Sequence, residues 1–90
     1  MTKAEIVAQI AEKTGIEKSS TQEVVEAFMD IVKKSVAEGE PVYLRGFGSF
    51  IRKTRAEKVG RNIKLDQSIV IPAHNIPAFK PSKTFANEVK

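Results

Sequence analysis

At roughly 100–200 residues per domain, ninety residues make one domain at most. An apolar fraction of 41% with 29% charged residues suits a folded chain and excludes a fully disordered one. The lack of cysteine excludes disulfides, thiolate zinc sites and a Cys nucleophile, and a single histidine excludes a multi-His metal centre. No apolar run is long enough to span a bilayer, and the first residues, Met1 to Glu5, lack the apolar core of a secretion signal. The expected address is the cytoplasm.

The net charge of +4 is unevenly spread. Residues 1–45 carry six Lys/Arg against eight Asp/Glu, whereas residues 46–90 carry nine against three. Within the second half, Arg52, Lys53, Arg55, Lys58, Arg61 and Lys64 face Glu57 alone. Such a stripe attracts polyanions at long range. A solvated loop or a lysine-guarded edge strand would carry the same residues.

In chain order, Thr2 and Glu5 form a capping box that opens a helix. Ile6, Val7, Ile10 and Ala11 give it one apolar face, and Gly15 stops it. Ser20 with Glu23 forms a second capping box, with Ser19 as the other candidate cap. Val24, Phe28, Ile31, Val32 and Val36 then recur at helical spacing until Gly39. The short connection makes the pair a helical hairpin.

After Gly39 the period becomes two. Val42 and Leu44 alternate with Tyr43 and Arg45, Gly46-Phe47-Gly48 makes a turn, and a second strand runs from Ser49 to Arg55. Ile69 to Ile71 is a third strand run, closed by Pro72. The polar, basic stretch between the last two runs, roughly 54–68, has too few apolar residues to reach a core, and it forms a projecting hairpin if its sides pair. In the tail, Pro81 suits the first turn of a last helix with Lys80 as its cap, or Ser82 caps a slightly later start. Phe85 and Val89 give that helix an apolar side. The order is α-α-β-β-β-α.

A chain this small buries little more than about 60% of its unfolded surface. Phe47, Phe50 and Phe79 need a surface to bury against, and association supplies one, so a dimer is expected. Tyr43 and the phenylalanines are assigned to core packing, away from the basic stretch. His74 beside Asn75 is read as a structural hydrogen-bonding residue.

Gly46-Phe47-Gly48-Ser49-Phe50, then Arg55, then Gly60-Arg61-Asn62, resembles the signature of the bacterial HU and integration host factor family. The segment from Ile71 to Pro81 is similar to that family's return strand, and the resemblance covers all ninety residues. It implies an α+β intertwined dimer. Its parts are a two-helix base over residues 1–39, an antiparallel three-stranded sheet with a long β-ribbon arm over 40–80, and a short helix over 81–90. The arm tip falls at about 60–68. Phe28, Phe47, Phe50 and Phe79 are the expected dimer core. The implied role is non-enzymatic and cofactor-free: the arms wrap duplex DNA in its minor groove, bending and compacting it with little sequence selectivity. Flexible or distorted duplex is the preferred form, because it costs less to bend.

The expected DNA-contacting residues are Lys3, Gly46, Gly48, Arg52, Lys53, Arg55, Lys58, Arg61, Asn62, Ile63, Lys64, Lys80 and Lys83. The family commonly has a proline wedge after Gly-Arg-Asn, and here the position is Ile63. Isoleucine is also an apolar wedge of minor-groove proteins, but it lacks proline's fixed φ. Leu65 is a second wedge candidate. An integration-host-factor-like, site-selective binder, an RNA binder or a ligand of an acidic protein remain the rival readings. The partner subunit, identical or paralogous, is left open, and a nucleoid location follows from the resemblance.

Overall fold

The structure is a computed structural model that describes the backbone of residues 1–62 and 67–90, and side chains outside 61–69. Helix α1 spans Lys3–Thr14 and helix α2 spans Lys18–Ala37. The strands are β1 (Val42–Leu44), β2 (Gly48–Arg55), β3 (Lys58–Asn62), β4 (Gln67–Ile71) and β5 (His74–Pro81), followed by α3 (Lys83–Val89). The chain forms two compact units, residues 1–34 and 35–90.

In the first unit, the Thr2 hydroxyl accepts from the Glu5 amide, and Gly15 closes α1 by donating to the Ala11 carbonyl. Val7 is the most deeply buried side chain of this unit, with Val32 and Thr21 also buried. The Thr21 hydroxyl satisfies itself on the Glu17 carbonyl at 2.9 Å. The second capping box is corrected: α2 already begins at Lys18, so Ser19 and Ser20 lie inside its first turn. The Glu17 carbonyl takes the first intrahelical bond from the Thr21 amide, and the Glu17 carboxylate accepts from the Ser19 hydroxyl.

In the second unit, α2 ends with the Gly39 amide donating to the Val36 carbonyl and the Glu40 amide to the Ser35 carbonyl. Strands β1, β2 and β5 form an antiparallel sheet in that order. Tyr43 pairs with Ser49, Ser49 with Lys80, and the β2–β5 ladder runs on to Arg55 opposite His74. A separate two-stranded sheet, β3 with β4, lies between β2 and β5 in the chain.

Three expectations change. The run Ile69 to Ile71 belongs to β4 and pairs with β3, in the ribbon rather than the three-stranded sheet. The tail contains a full strand, β5, which the element order read from the residue pattern omits and the resemblance to the family's return strand implied, in spite of Pro77 and Pro81. Backbone amides alternate sides along a strand, so residues 77 and 81 share one side. Among the described residues β5 has only β2 as a neighbour, and that side is its open edge, where a missing N–H costs nothing. The last helix starts by the second of the two options, with the Ser82 hydroxyl accepting from the Phe85 amide; Pro81 stays in the strand and Val89 is exposed.

Phe47, Phe50, Phe79 and Phe85 form one aromatic cluster, with neighbouring ring centroids 5.0–6.4 Å apart. Such tilted and offset contacts are the favoured aromatic geometries. Phe50 and Phe79 are cross-strand partners, so the cluster marks one face of the sheet.

Candidate nucleic-acid interface

Residues directly opposite in an antiparallel ladder share a face, and the faces alternate along each strand. The aromatic face therefore carries Val42, Phe50 and Phe79 in one row, then Leu44, Gly48 and Pro81, then Arg52 with Pro77 and Thr54 with Asn75. The opposite face carries Tyr43, Ser49 and Lys80 in one row, then Ile51 with Ala78, Lys53 with Ile76 and Arg55 with His74. Lys53, Arg55 and Lys80 are exposed there, and none of the three strands contains an Asp or Glu. The second face is thus a cationic floor with no internal counter-charge.

This division separates two neighbours in the basic stripe. Lys53 and Arg55 lie on the cationic face, whereas Arg52 lies on the aromatic one. A methyl group at Gly39 would meet the Arg52 guanidinium at 2.9 Å, so Arg52 packs against the C-terminal end of α2. A cation at that end of a helix is favourable.

The two turn glycines act differently. The Phe47 amide donates to the Leu44 carbonyl across a four-residue turn, and Gly46 holds its third position at φ 81°, a conformation that side chains disfavour. Nothing lies within 4 Å of a Cβ at Gly46, so its surface is open. Gly48 is buried, and a Cβ there would come within 2.5 Å of the Phe79 ring and 2.6 Å of the Lys80 carbonyl oxygen. Its glycine is a packing requirement.

In the ribbon, Lys58 pairs with Ile71, Val59 with Val70, Gly60 with Ile69, Arg61 with Ser68 and Asn62 with Gln67. Lys58 and Asn62 occupy positions of one face, Arg61 of the other. Ile63 and Lys64, and with them the Leu65 alternative, lie outside the described residues. At the ribbon root, the Thr54 hydroxyl donates to the Asn75 side-chain oxygen at 2.8 Å, and His74 Nδ1 lies 3.0 Å from the Pro72 carbonyl oxygen. A carbonyl only accepts, so that nitrogen carries the proton, and the structural reading of His74 agrees with this contact.

Lys3 opens α1 and pairs with Glu26 at 2.8 Å. That contact, then the hydrogen bond from Gln22, holds the Glu26 carboxyl below its ordinary value. Lys80 is the penultimate residue of β5, and Lys83 is the first residue of α3. Tyr43 corrects the sequence reading, because it is 75% exposed and does not pack in the core. A period-two strand with Val42 and Leu44 facing inward already places residue 43 outward, and that was the available signal.

A family model described as bacterial DNA-binding protein matches residues 1–90. The chain belongs to this family, that of HU and integration host factor. It is 40% identical over 90 residues to the SPbeta prophage-derived DNA-binding protein HU 2 of Bacillus subtilis, covering 100% of this chain and 98% of that protein. It is 37% identical over 87 residues to the integration host factor alpha subunit of an Anaeromyxobacter species, covering 97% and 88%. Among solved structures, the Anabaena HU–DNA cocrystal structure matches with a TM-score of 0.94 at 37% identity, over 99% of this chain and 97% of that one. HU from Thermotoga maritima matches with a TM-score of 0.71 at 26% identity over the whole of both chains. Membership gives the chain the α+β HU fold and places it with DNA-binding proteins rather than enzymes. Among the described residues, no helix is long and apolar enough to cross a membrane.

Proposed function

We propose that two copies of this chain, or one copy and a paralogue, clamp duplex DNA. In this reading the β3–β4 ribbons lie in the minor groove and the duplex bends over the cationic sheet face. The observation that carries the reading is that face: Lys53, Arg55 and Lys80 are exposed together with no acidic residue among its three strands. The ribbon adds Lys58 and Arg61, at positions of its two opposite faces. Gly46 offers an open backbone to a phosphate, and Lys3 and Lys83 are flanking contacts. Asn62, Ile63 and Lys64 contact the groove at the tip, with Ile63 as the wedge. The Anabaena relative was crystallised with DNA, which supports the same partner here.

Dimerisation is supported by what one chain leaves uncovered. Ile31 is 69% exposed, Val24 67%, and Phe28 and Phe47 45% each. Val24, Phe28 and Ile31 recur at i, i+4 and i+7 on α2, and an exposed apolar stripe of this kind marks an association surface. The location that follows is the nucleoid. Affinity comes mainly from phosphate neutralisation, and sequence readout is weak because the minor-groove code is degenerate.

A salt-series titration of a short duplex carrying a FRET pair at its ends, intact and centrally nicked, tests this. The expected result is salt-sensitive binding with a rise in FRET, larger on the nicked duplex. Binding without end-to-end approach would reject bending, and no binding at low salt would reject the DNA reading. Ile63→Ala is expected to reduce the bend, and an unchanged affinity and FRET in that variant would remove the wedge. Discrete footprints on genomic DNA would favour the site-selective alternative.

A further inference from the structure

We infer that Tyr43 is a DNA-backbone contact: its phenol and the Lys80 ammonium, in one cross-strand row with Ser49 between them, hold neighbouring phosphates at the edge of the cationic sheet. This rests on the DNA-clamp reading and adds a neutral donor to a site otherwise described by its cations.

Tyr43, Ser49 and Lys80 are successive partners across β1, β2 and β5, so their side chains rise from the same face. The outer two are separated by two inter-strand spacings, about 9–10 Å at the backbone. Tyr43 and Lys80 are both long and exposed, while Ser49 is short and half-buried, which leaves a notch between them. A tyrosine this exposed on an edge strand has no packing role in its own chain. Its hydroxyl makes no hydrogen bond to the described residues; the next row of that face is Ile51 with Ala78, and Lys53 and Arg55 follow in the rows beyond. A phenol in the same row as an ammonium, on a sheet whose three strands carry no carboxylate, is matched by an anionic oxygen. Phosphodiester oxygens supply one at every step of a duplex, and tyrosine side chains are among the groups that bind them.

The chain has one tyrosine and no tryptophan, so its intrinsic emission reports on position 43 without a label. A short duplex is titrated into the unmodified protein while tyrosine emission is followed, and the anisotropy of a labelled duplex reports binding independently. Emission is expected to fall in step with anisotropy, as a phenol hydrogen-bonded to phosphate is quenched. Tyr43→Phe, which keeps the ring, is expected to weaken binding about fivefold to tenfold. It should leave the salt slope unchanged, because a neutral donor releases no counterion. Lys80→Ala is expected to lower that slope by about 0.9 for each phosphate the ammonium neutralises. Wild-type affinity in Tyr43→Phe, or constant emission while anisotropy saturates, overturns the inference and leaves the clamp intact. Emission that instead follows dilution of the free protein overturns it by making Tyr43 a subunit contact. Absence of any anisotropy change overturns the clamp and this contact together.

Discussion

At Gly48 one hydrogen atom is all that fits between the backbone and the Phe79 ring. Gly48→Ala is expected to cost about 1–3 kcal/mol of stability, read as a lower urea midpoint, because the neighbouring Lys80 carbonyl belongs to a paired strand and cannot move aside. Arg52 and Lys53 are one residue apart and lie on opposite faces. Lys53→Ala is expected to reduce the salt slope of DNA binding by about 0.9 for each phosphate it neutralises, whereas Arg52→Ala leaves the slope alone and lowers stability by releasing the end of α2. The Lys3–Glu26 pair sets a third expectation. Lys3 lowers the Glu26 pKa in the folded chain, so the pair's contribution is present above the ordinary carboxylate value. It is lost as pH falls through the lowered folded value. Glu26→Gln should flatten the acid limb of the stability profile in that window.

The elements differ in how much holds them. The β2 strand has neighbours on both sides, whereas among the described residues β3 and β4 have only each other. A lone two-stranded ribbon is marginal in water. Amides of Lys58 to Gly60 are therefore expected to exchange much faster than those of Ser49 to Lys53 in the free protein, measured by hydrogen exchange, with the gap narrowing on a duplex. Equal protection in both would mean that the ribbon has a further partner. At the other end of β5, the Ser82 cap fixes where the strand stops and α3 begins. Its loss in Ser82→Ala is expected to cost about 1 kcal/mol.

At the scale of the molecule, the buried apolar side chains below a tenth exposed are three valines, Val7, Val32 and Val36, among the described residues. That is a small core for a ninety-residue chain, and under the proposed dimer the uncovered Phe28, Ile31 and Phe47 would supply the remainder against a second copy. The melting temperature is accordingly expected to rise with protein concentration, and Phe47→Ala to lower both melting temperature and dimer affinity. A melting temperature independent of concentration across the dimerisation range would contradict a dimer-dependent core.

What the sequence determined by itself were the local features. Thr2 and Gly15 bound α1, the alternation around Val42 and Leu44 marks a strand, and the family motifs around Gly46-Phe47-Gly48 and Gly60-Arg61-Asn62 are specific enough to identify the kind of protein. Each depends on residues within a few positions of one another. The tertiary structure decided the rest. Prolines at 77 and 81 argue against a strand until it is known that β5 is an edge, and edge status is set by residues some thirty positions away. The basic stripe is continuous in sequence, but pleating sends Arg52 to the aromatic face and leaves Lys53 and Arg55 to meet Lys80. Tyr43 is outward by its own alternation, yet only the register linking residues 43, 49 and 80 gives that exposed phenol neighbours. Pairing across distant strands determines which residues share a surface, and no local pattern encodes it.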